Sequence, residues 1–451
     1  MAENNFSLQK TLTMLLDEKK YHSLRDILST MNPADIAAIF DDLDQARLPL
    51  LFRLLPKELA AETFVEMEPE AQELLIQGFS DSELKEVIDE LYVDDAVDIV
   101  EEMPANVVQR ILSQAEPDMR KQINEILRYP EDSAGSIMTT EYVSLRPNMT
   151  VEEAILRIRR TGIDKETVYT CYVIDDQRRL VGQVSLRKLI IAPESACIRD
   201  IMDTNIVSAA TTDDQEAVAD DFRRYDLTSI AVCDKEGRLV GIITIDDIVD
   251  VIQDENTEDI KKMAAIIPSD EDYMKTSVWS LVAHRLPWLM LLMISATFTS
   301  TIITHFETLL SGAVLLTAFI PMLMDSAGNS GSQTSVTVIR NLALGEIELR
   351  DWPHVLAKEI GVAIVSGAAL ALVNFLRIII FTSTSMMIAA VVSVTLFCTV
   401  IIAMIVGCLL PIGAKKLGFD PAVMASPMIT TIVDACSLMI YFLIATSMLG
   451  L

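Results

Sequence analysis

The sequence predicts a multidomain protein in three parts: an all-α superhelical N-terminal domain, an α/β tandem pair, and an α-helical transmembrane domain of five spans. Three observations carry this. First, charge is divided unevenly. The chain has 451 residues, with 36 Lys and Arg and 65 Asp and Glu. Residues 276–451 hold only 7 and 8 of these, which leaves 29 and 57, a net of −28, for residues 1–275. The mean hydropathy of +0.35 therefore averages an acidic soluble module and a membrane-like segment. Second, residues 30–130 repeat a short amphipathic helical pattern. Third, residues 135–255 repeat a longer unit of mixed type.

The composition also excludes. An acidic soluble half is not a nucleic-acid binder. The six cysteines (Cys171, Cys197, Cys233, Cys398, Cys408, Cys436) form no C-x-x-C pair, so no disulfide scaffold is expected and a reducing compartment suits them. Four dispersed histidines and no nucleophile constellation give no basis for an enzyme. No basic-then-apolar leader opens the chain, so no cleavable signal is expected.

The N-terminal repeat reads Asn32-Pro33 followed by Ile36, Ile39, Phe40 and Leu43. It returns at Leu55–Met67, Ser80–Leu91 and Val93–Met103. Each copy is a cap or Pro, then apolar residues at helical spacing with acids on the other face. Short amphipathic helices at a fixed period stack into a superhelix. A solvated acidic face is the plain reading of most of these carboxylates.

In the second repeat, Ser136-Ile137-Met138-Thr139 returns as Asp200-Ile201-Met202-Asp203, and Arg179-Leu180-Val181-Gly182 as Arg238-Leu239-Val240-Gly241. Between these anchors each copy has a helix and a β-rich run, Tyr169–Asp175 and Ser229–Asp234. The order strand, helix, strand, tight turn, strand, helix predicts a pseudo-two-fold pair.

In the last part, uncharged runs long enough to cross a bilayer predict spans at about 285–305, 309–340, 355–381, 386–414 and 421–450. Arg340, Arg350, Lys358, Lys415 and Lys416 fall in two connections on one side. The positive-inside bias puts that side in the cytoplasm, with the N-terminus inside and the C-terminus outside. Two places break the apolar pattern. Asp325 to Ser335 is a polar, small-residue stretch in the second span, either a helix contact face or a pore lining. Asp434 stands inside the last span, and a carboxylate there is a functional-site candidate by default. On the axis of a two-fold dimer it would offer two carboxylates, which match a divalent cation with hard oxygen ligands such as Mg2+. No Cys/His cluster accompanies it, which argues against zinc or copper.

The mixed repeat resembles tandem CBS domains, the cystathionine-β-synthase-type module. Together with the helical repeat before it, the five spans, and the motifs Gly328-Asn329-Ser330-Gly331 and Pro427-Met428-Ile429-Thr430-Thr431 with Asp434, it resembles the MgtE family of Mg2+ channels over nearly the whole chain. The resemblance implies domains at 1–130 (helical repeat), 131–254 (CBS pair), 255–278 (connecting helix) and 279–451 (pore). It implies a homodimeric, multi-pass, Mg2+-selective channel of the cell (inner) membrane, closed by Mg2+ binding to its cytosolic part. A CBS-regulated coupled transporter, or a channel for Mn2+ or Co2+, is the alternative. Asp434 falls on the family's pore aspartate, and Asp325, Gly328, Asn329, Ser426, Thr430 and Thr431 on or near the pore lining. Candidate ligands of regulatory Mg2+ are Asp94, Asp95, Asp98, Glu216, Asp226, Asp247, Asp250, Glu255, Glu258 and Asp259, with plain solvated surface as the alternative for each. Gly241-Ile242-Ile243-Thr244-Ile245-Asp246-Asp247 fits the CBS nucleotide pattern, which implies ATP held through Thr244 and Asp247. The first repeat lacks the acid, with Lys188 in its place.

Overall fold

The computed structural model of the chain describes residues 11–41, 43, 46–269, 273–274, 276–306, 314–382, 384–424 and 426–449. They divide into two compact units, residues 1–252 and 253–451.

The first unit opens with short helices: α1 Tyr21–Leu28, α2 Pro33–Asp41, α3 Leu48–Phe52, α4 Lys57–Val65, α5 Pro69–Gly78, α6 Asp81–Ile88, α7 Val93–Glu102, α8 Ala105–Gln114 and α9 Pro117–Ile126. The four anticipated helices are α2, α4, α6 and α7. Further helices stand before, between and after them, and for those between and after, proline placement was the unread signal. Pro69 and Pro117 occupy the first helical turn, and Pro104 is the N-cap of α8; at these positions the missing N–H costs nothing. Ser80 and Glu83 form a reciprocal capping box on α6. Apolar faces merge into one core through Leu28, Ile36, Phe40, Phe64, Leu75, Ile88, Val97 and Ile123, all buried. Arginines tie neighbouring repeats: Arg53 Nε donates to Glu83 at 2.6 Å, and Arg110 to the Phe79 carbonyl at 2.6 Å.

The mixed repeat follows the predicted order twice. Strands β1 (Tyr142–Leu145), β2 (Thr167–Ile174) and β3 (Leu180–Ser185) form one sheet, with α10 (Val151–Thr161) crossing between β1 and β2 and α11 (Leu186–Ile191) after β3. After α12 (Ile198–Ile201), β4 (Ser208–Ala210), β5 (Ser229–Cys233) and β6 (Leu239–Thr244) form the second sheet around α13 (Gln215–Tyr225). In each sheet the first pair is parallel and the second antiparallel.

The two repeat anchors touch each other across the pseudo-two-fold. Thr139 and Ile242 exchange backbone hydrogen bonds of 2.8 and 2.9 Å, and Gln183 and Asp203 do the same at 2.9 and 2.8 Å. A Cβ on Gly182 would stand 2.5 Å from Met202 Sδ, and one on Gly241 2.6 Å from Met138 Sδ and 2.8 Å from the Thr139 carbonyl oxygen. Each glycine thus makes room for the methionine segment of the other repeat. Gly241→Ala is expected to destabilise the first unit by about 1–3 kcal/mol, the usual cost of overpacking. The shift of the chemical-denaturation midpoint of the full chain measures it; an unchanged midpoint would mean that the segment yields freely.

Helix α14, Ile245–Met263, leaves β6 and runs past the division between the units without a break. The anticipated connecting helix is therefore the second half of a longer one. It ends at Met263, before the first membrane helix begins at Val278.

The second unit has five long helices: α15 Val278–His305, α16 Ile320–Ala343, α17 Trp352–Phe381, α18 Met386–Lys416 and α19 Ser426–Leu449. Four of them are long and apolar enough to cross a membrane by length and composition; α16 is the exception, because its polar stretch lowers its hydropathy. Three starts differ from the expectation: the first helix begins seven residues early, at Val278. The second helix begins at Ile320, after a 3₁₀ turn at Val314–Phe319, and the last at Ser426, after a 3₁₀ turn at Pro421–Met424. Prolines and an unbroken apolar composition mask these turns in the sequence. The core of the unit joins Leu316, Leu323, Val392, Leu396, Leu438, Tyr441 and Phe442. No side chain of α15 is buried within the chain, as suits a helix that meets lipid or another chain.

Candidate metal and cation-path sites

The first site lies in the first unit, where α7 meets the entries to three CBS elements. Asp94, Asp95 and Asp98 share the first turns of α7. Asp247 and Asp246 open α14, Glu141 precedes β1, and Glu166 precedes β2. Asp94 is 7% exposed, and among the described residues its Oδ1 has no hydrogen-bond partner; Glu166 Oε2 is likewise buried and unpartnered among them. Burial, then the charge of Asp247, pushes the Asp94 carboxyl well above the usual range. The same two causes raise Glu166 to about 8 and Asp95 to about 6. Asp98 is solvent-exposed at the rim, yet crowding by protein and then Asp247 moves it upward too. Asp247 is raised to about 6 by burial, against the pull of its hydrogen bond from Thr244. The main charges acting on these groups are other carboxylates.

Crowded, half-dry carboxylates without cations are relieved by protons or by a divalent ion. The orphaned oxygens of Asp94 and Glu166 fit a hard cation. Among the described residues no three such groups are arranged to enclose one directly, so the donor set suits an ion that keeps several waters, as Mg2+ does. Glu166 and Glu141 were missed in the sequence; each is an isolated acid at a strand entry with no local pattern to mark it.

Other anticipated ligands lie apart. Glu216 and Asp226 stand at opposite ends of α13, with Asp226 as its left-handed C-cap, about 15 Å apart along the axis. Asp250 is exposed on α14, one turn after Asp247. Glu255, Glu258 and Asp259 belong to the half of α14 in the second unit. There Glu258 holds Lys262 at 2.8 Å, and Lys262 also holds Asp420 at 2.8 Å, so a lysine ammonium bridges these two acids. Burial and then Asp420 raise Asp259. This half of α14 touches the ends of the membrane helices: Arg340 of α16 donates to Asn256 at 3.2 Å, and Met263 packs on Ile339 and Ala422. The anticipated nucleotide pair, Thr244 and Asp247, is hydrogen-bonded internally at 2.7 Å as the cap of α14, with Thr244 5% exposed.

The raised carboxylates predict a pH dependence. In an acid whose pKa is higher folded than unfolded, the folded state binds more protons, so stability is greatest at low pH and is lost as pH rises through the folded value. Without Mg2+, thermal stability of the first unit should fall as pH rises through about 6 (Asp95, Asp247) to about 8 (Glu166). Millimolar Mg2+ should flatten the slope. A flat profile in chelator would contradict the crowding.

The second site is in the membrane unit. On α16, Asp325, Asn329 and Gln333 recur every four residues and are exposed, continued by Thr337 and Arg340. The opposite face, with Ala327, Gly328, Gly331, Thr334 and Ser335, is buried. Gly328 faces Thr430, and Gly331 faces Ile429 and Val433 of α19. Gly407 of α18 lies so close to Gly331 that a Cβ would stand 2.3 Å from its carbonyl oxygen. These contacts bring Asp434 near Asp325, whose charge acts on it. Asp434 is half-buried about 12 Å into α19, shallower than the roughly 20 Å expected from a helix start at Pro421. Among the described residues it has no ion-pair partner: Arg377 donates instead to Asn374, at 2.9 Å. Thr430 and Thr431 both donate to the Pro427 carbonyl, at 2.9 and 3.0 Å. The Ser426 side chain lies outside the described residues. Gln333 extends the anticipated lining and is legible as the next step of the four-residue spacing.

A polar helix face and an unpaired carboxylate within a bundle of apolar helices, joined to an acidic CBS-containing module, define a multi-pass membrane protein of the divalent cation transporter class. The family model of the MgtE divalent cation transporters matches residues 320–444, that of the MgtE intracellular N domain 31–132, and that of the CBS domain 134–195 and 198–254. The magnesium transporter MgtE of Thermus thermophilus is 36% identical over 98% of both chains, and that of Bacillus subtilis 32% over 97% of this chain and 96% of its own. The crystal structure of the cytosolic domain of the Mg2+ channel MgtE in complex with ATP is 38% identical, covers 54% of this chain and 99% of that one, and superposes with a TM-score of 0.52. The chain belongs to the MgtE family of magnesium transporters.

Proposed function

We propose that the chain is a Mg2+ channel in which cations pass along the open face of α16 and the Asp434 side of α19, between two copies of the chain. The observation that carries this is Asp434: a carboxylate among apolar helices with no cationic partner among the described residues, near enough to Asp325 to feel its charge. In a two-fold dimer the open faces, and with them two Asp434 carboxylates, come together. Two carboxylates neutralise one divalent ion while backbone carbonyls and retained water complete its shell. The coupled-transporter alternative calls for inverted repeats, which are not seen in the sequence. The positive-inside bias of the loops supports a cytoplasmic first unit and an external C-terminus as part of this reading.

The acidic site supplies regulation. When Mg2+ is plentiful, the ion bridges α7 to Asp247 and Glu166, and α14 carries the change toward the ends of α16 and α19. Mg2+ uptake by proteoliposomes, against empty vesicles, tests transport; no uptake above the control would overturn the reading. The ATP-bound relative supports a nucleotide site here as well. For Thr244 and Asp247 to hold ribose hydroxyls, the bond between them must open, so Asp247→Ala should weaken ATP binding in calorimetry. Unchanged affinity would move the nucleotide elsewhere.

A further inference from the structure

Glu359 of α17 is a carboxylate on a membrane-unit helix apart from Asp325 and Asp434. Among the described residues its one partner is Thr334 of α16, whose Oγ1 donates to Glu359 Oε2 at 3.0 Å; no cation pairs with it. Thr334 is 2% exposed. At 100° per residue it lies about 180° around α16 from Asp325 and about 140° from Asn329, on the face turned away from the open polar stripe. Gly331 and Gly407 make a close approach between α16 and α18 and offer no side chains to interlock there; Ala327, Val338 and Leu342 pack against α18 on either side, apolar contacts that carry no directional bond. Ser335, the next buried hydroxyl on α16, has no hydrogen-bond partner.

We propose that Glu359 is a positioning residue: by accepting the Thr334 hydrogen bond behind the glycine contact, it sets the rotation of α16 and thereby the presentation of Asp325 and Asn329 on the opposite face. This rests on the reading that the open face lines the cation path. The role needs an acceptor and not a charge. Glu359→Gln keeps an acceptor oxygen, whereas Glu359→Leu and Thr334→Val remove the bond from either side.

The experiment combines flux with accessibility. Mg2+ flux per folded protein, and the ratio of Mg2+ to Ca2+ flux, are measured in proteoliposomes for the wild type, E359Q, E359L, T334V and the E359L/T334V double variant. In parallel, the rate of modification of Asn329→Cys by a water-soluble thiol reagent is measured with and without Glu359→Leu, using the chain without Asn329→Cys as background. The expected results are a roughly tenfold loss of Mg2+ flux in E359L and in T334V, the scale of one hydrogen bond to a charged group, with a changed ion ratio. The double variant should be no worse than either single one, E359Q should be near wild type, and modification at position 329 should slow when Glu359→Leu is added. A general packing defect would lower flux for both ions alike and leave their ratio unchanged, which overturns the proposal. So does an E359Q variant as impaired as E359L, since the charge itself would then be in use. If the wild type carries no Mg2+, the transport reading fails, and the modification rate alone decides the positioning claim: an unchanged rate rejects it.

Discussion

Asp434→Ala should reduce Mg2+ flux by about a hundredfold or more while leaving the protein folded. Removing one buried charge partner costs about 3 kcal/mol, and each 1.4 kcal/mol or so is a factor of ten in rate. In a dimer the substitution takes away both carboxylates at once. The site packs through Gly328, Gly331, Ile429 and Val433 rather than through Asp434, so the helices should still assemble. Asp434→Asn keeps the size and isolates the charge, and should fall nearly as far. Fluorescent-indicator uptake in proteoliposomes, normalised to folded protein by size-exclusion chromatography, measures both. Wild-type flux through either variant would move the selective site elsewhere, with Asp325 next to examine.

The second large effect concerns the gate. One Mg2+ site held at ten times its dissociation constant contributes about 1.4 kcal/mol to the bound state, and the pair of such sites in a dimer about 2.8 kcal/mol, roughly a hundredfold shift in a two-state gate, enough to carry it from mostly open to mostly closed. Replacing Asp94, Asp95, Glu166 and Asp247 with Ala should leave the channel open at millimolar Mg2+. Two effects compete here, because the change removes repulsion as well as ligands. The raised pKa values decide between them: with Asp95 and Asp247 at about 6 and Glu166 at about 8, protons already relieve part of the repulsion near neutrality, so losing the bridge outweighs losing the repulsion. Protection of the first unit from protease by Mg2+ should disappear in parallel. Closure at the wild-type Mg2+ concentration would place the sensor among other acids. Glu258 and Asp420, bridged by Lys262, and the neighbouring Asp259 are then the next to neutralise.

The charge division, the tandem repeat and the long apolar runs were legible because each is periodic or extended. So was Asp434, because one acid in an apolar run needs no alignment to be noticed. Contacts between distant segments were not legible. The methionine and glycine anchors could be matched as repeats, but not seen to pack against each other. Glu141 and Glu166 join Asp94 only through the fold. Glu359 falls near the start of the span expected at 355–381, and its hydrogen bond to Thr334 reaches across 25 residues. Helix starts after 3₁₀ turns, at Ile320 and Ser426, were misplaced because the preceding residues are as apolar as the helices.

The most direct test of a channel that Mg2+ both crosses and closes is current through the purified protein in a planar bilayer or excised patch. Mg2+ is the charge carrier on one side, and its concentration is stepped on the side of the acidic unit. The account predicts Mg2+ current that falls steeply as Mg2+ on that side rises into the millimolar range, reversibly with chelator, and no such current with Asp434→Ala. Mg2+ current that is indifferent to Mg2+ at the acidic unit, or that persists without the Asp434 carboxylate, would contradict it.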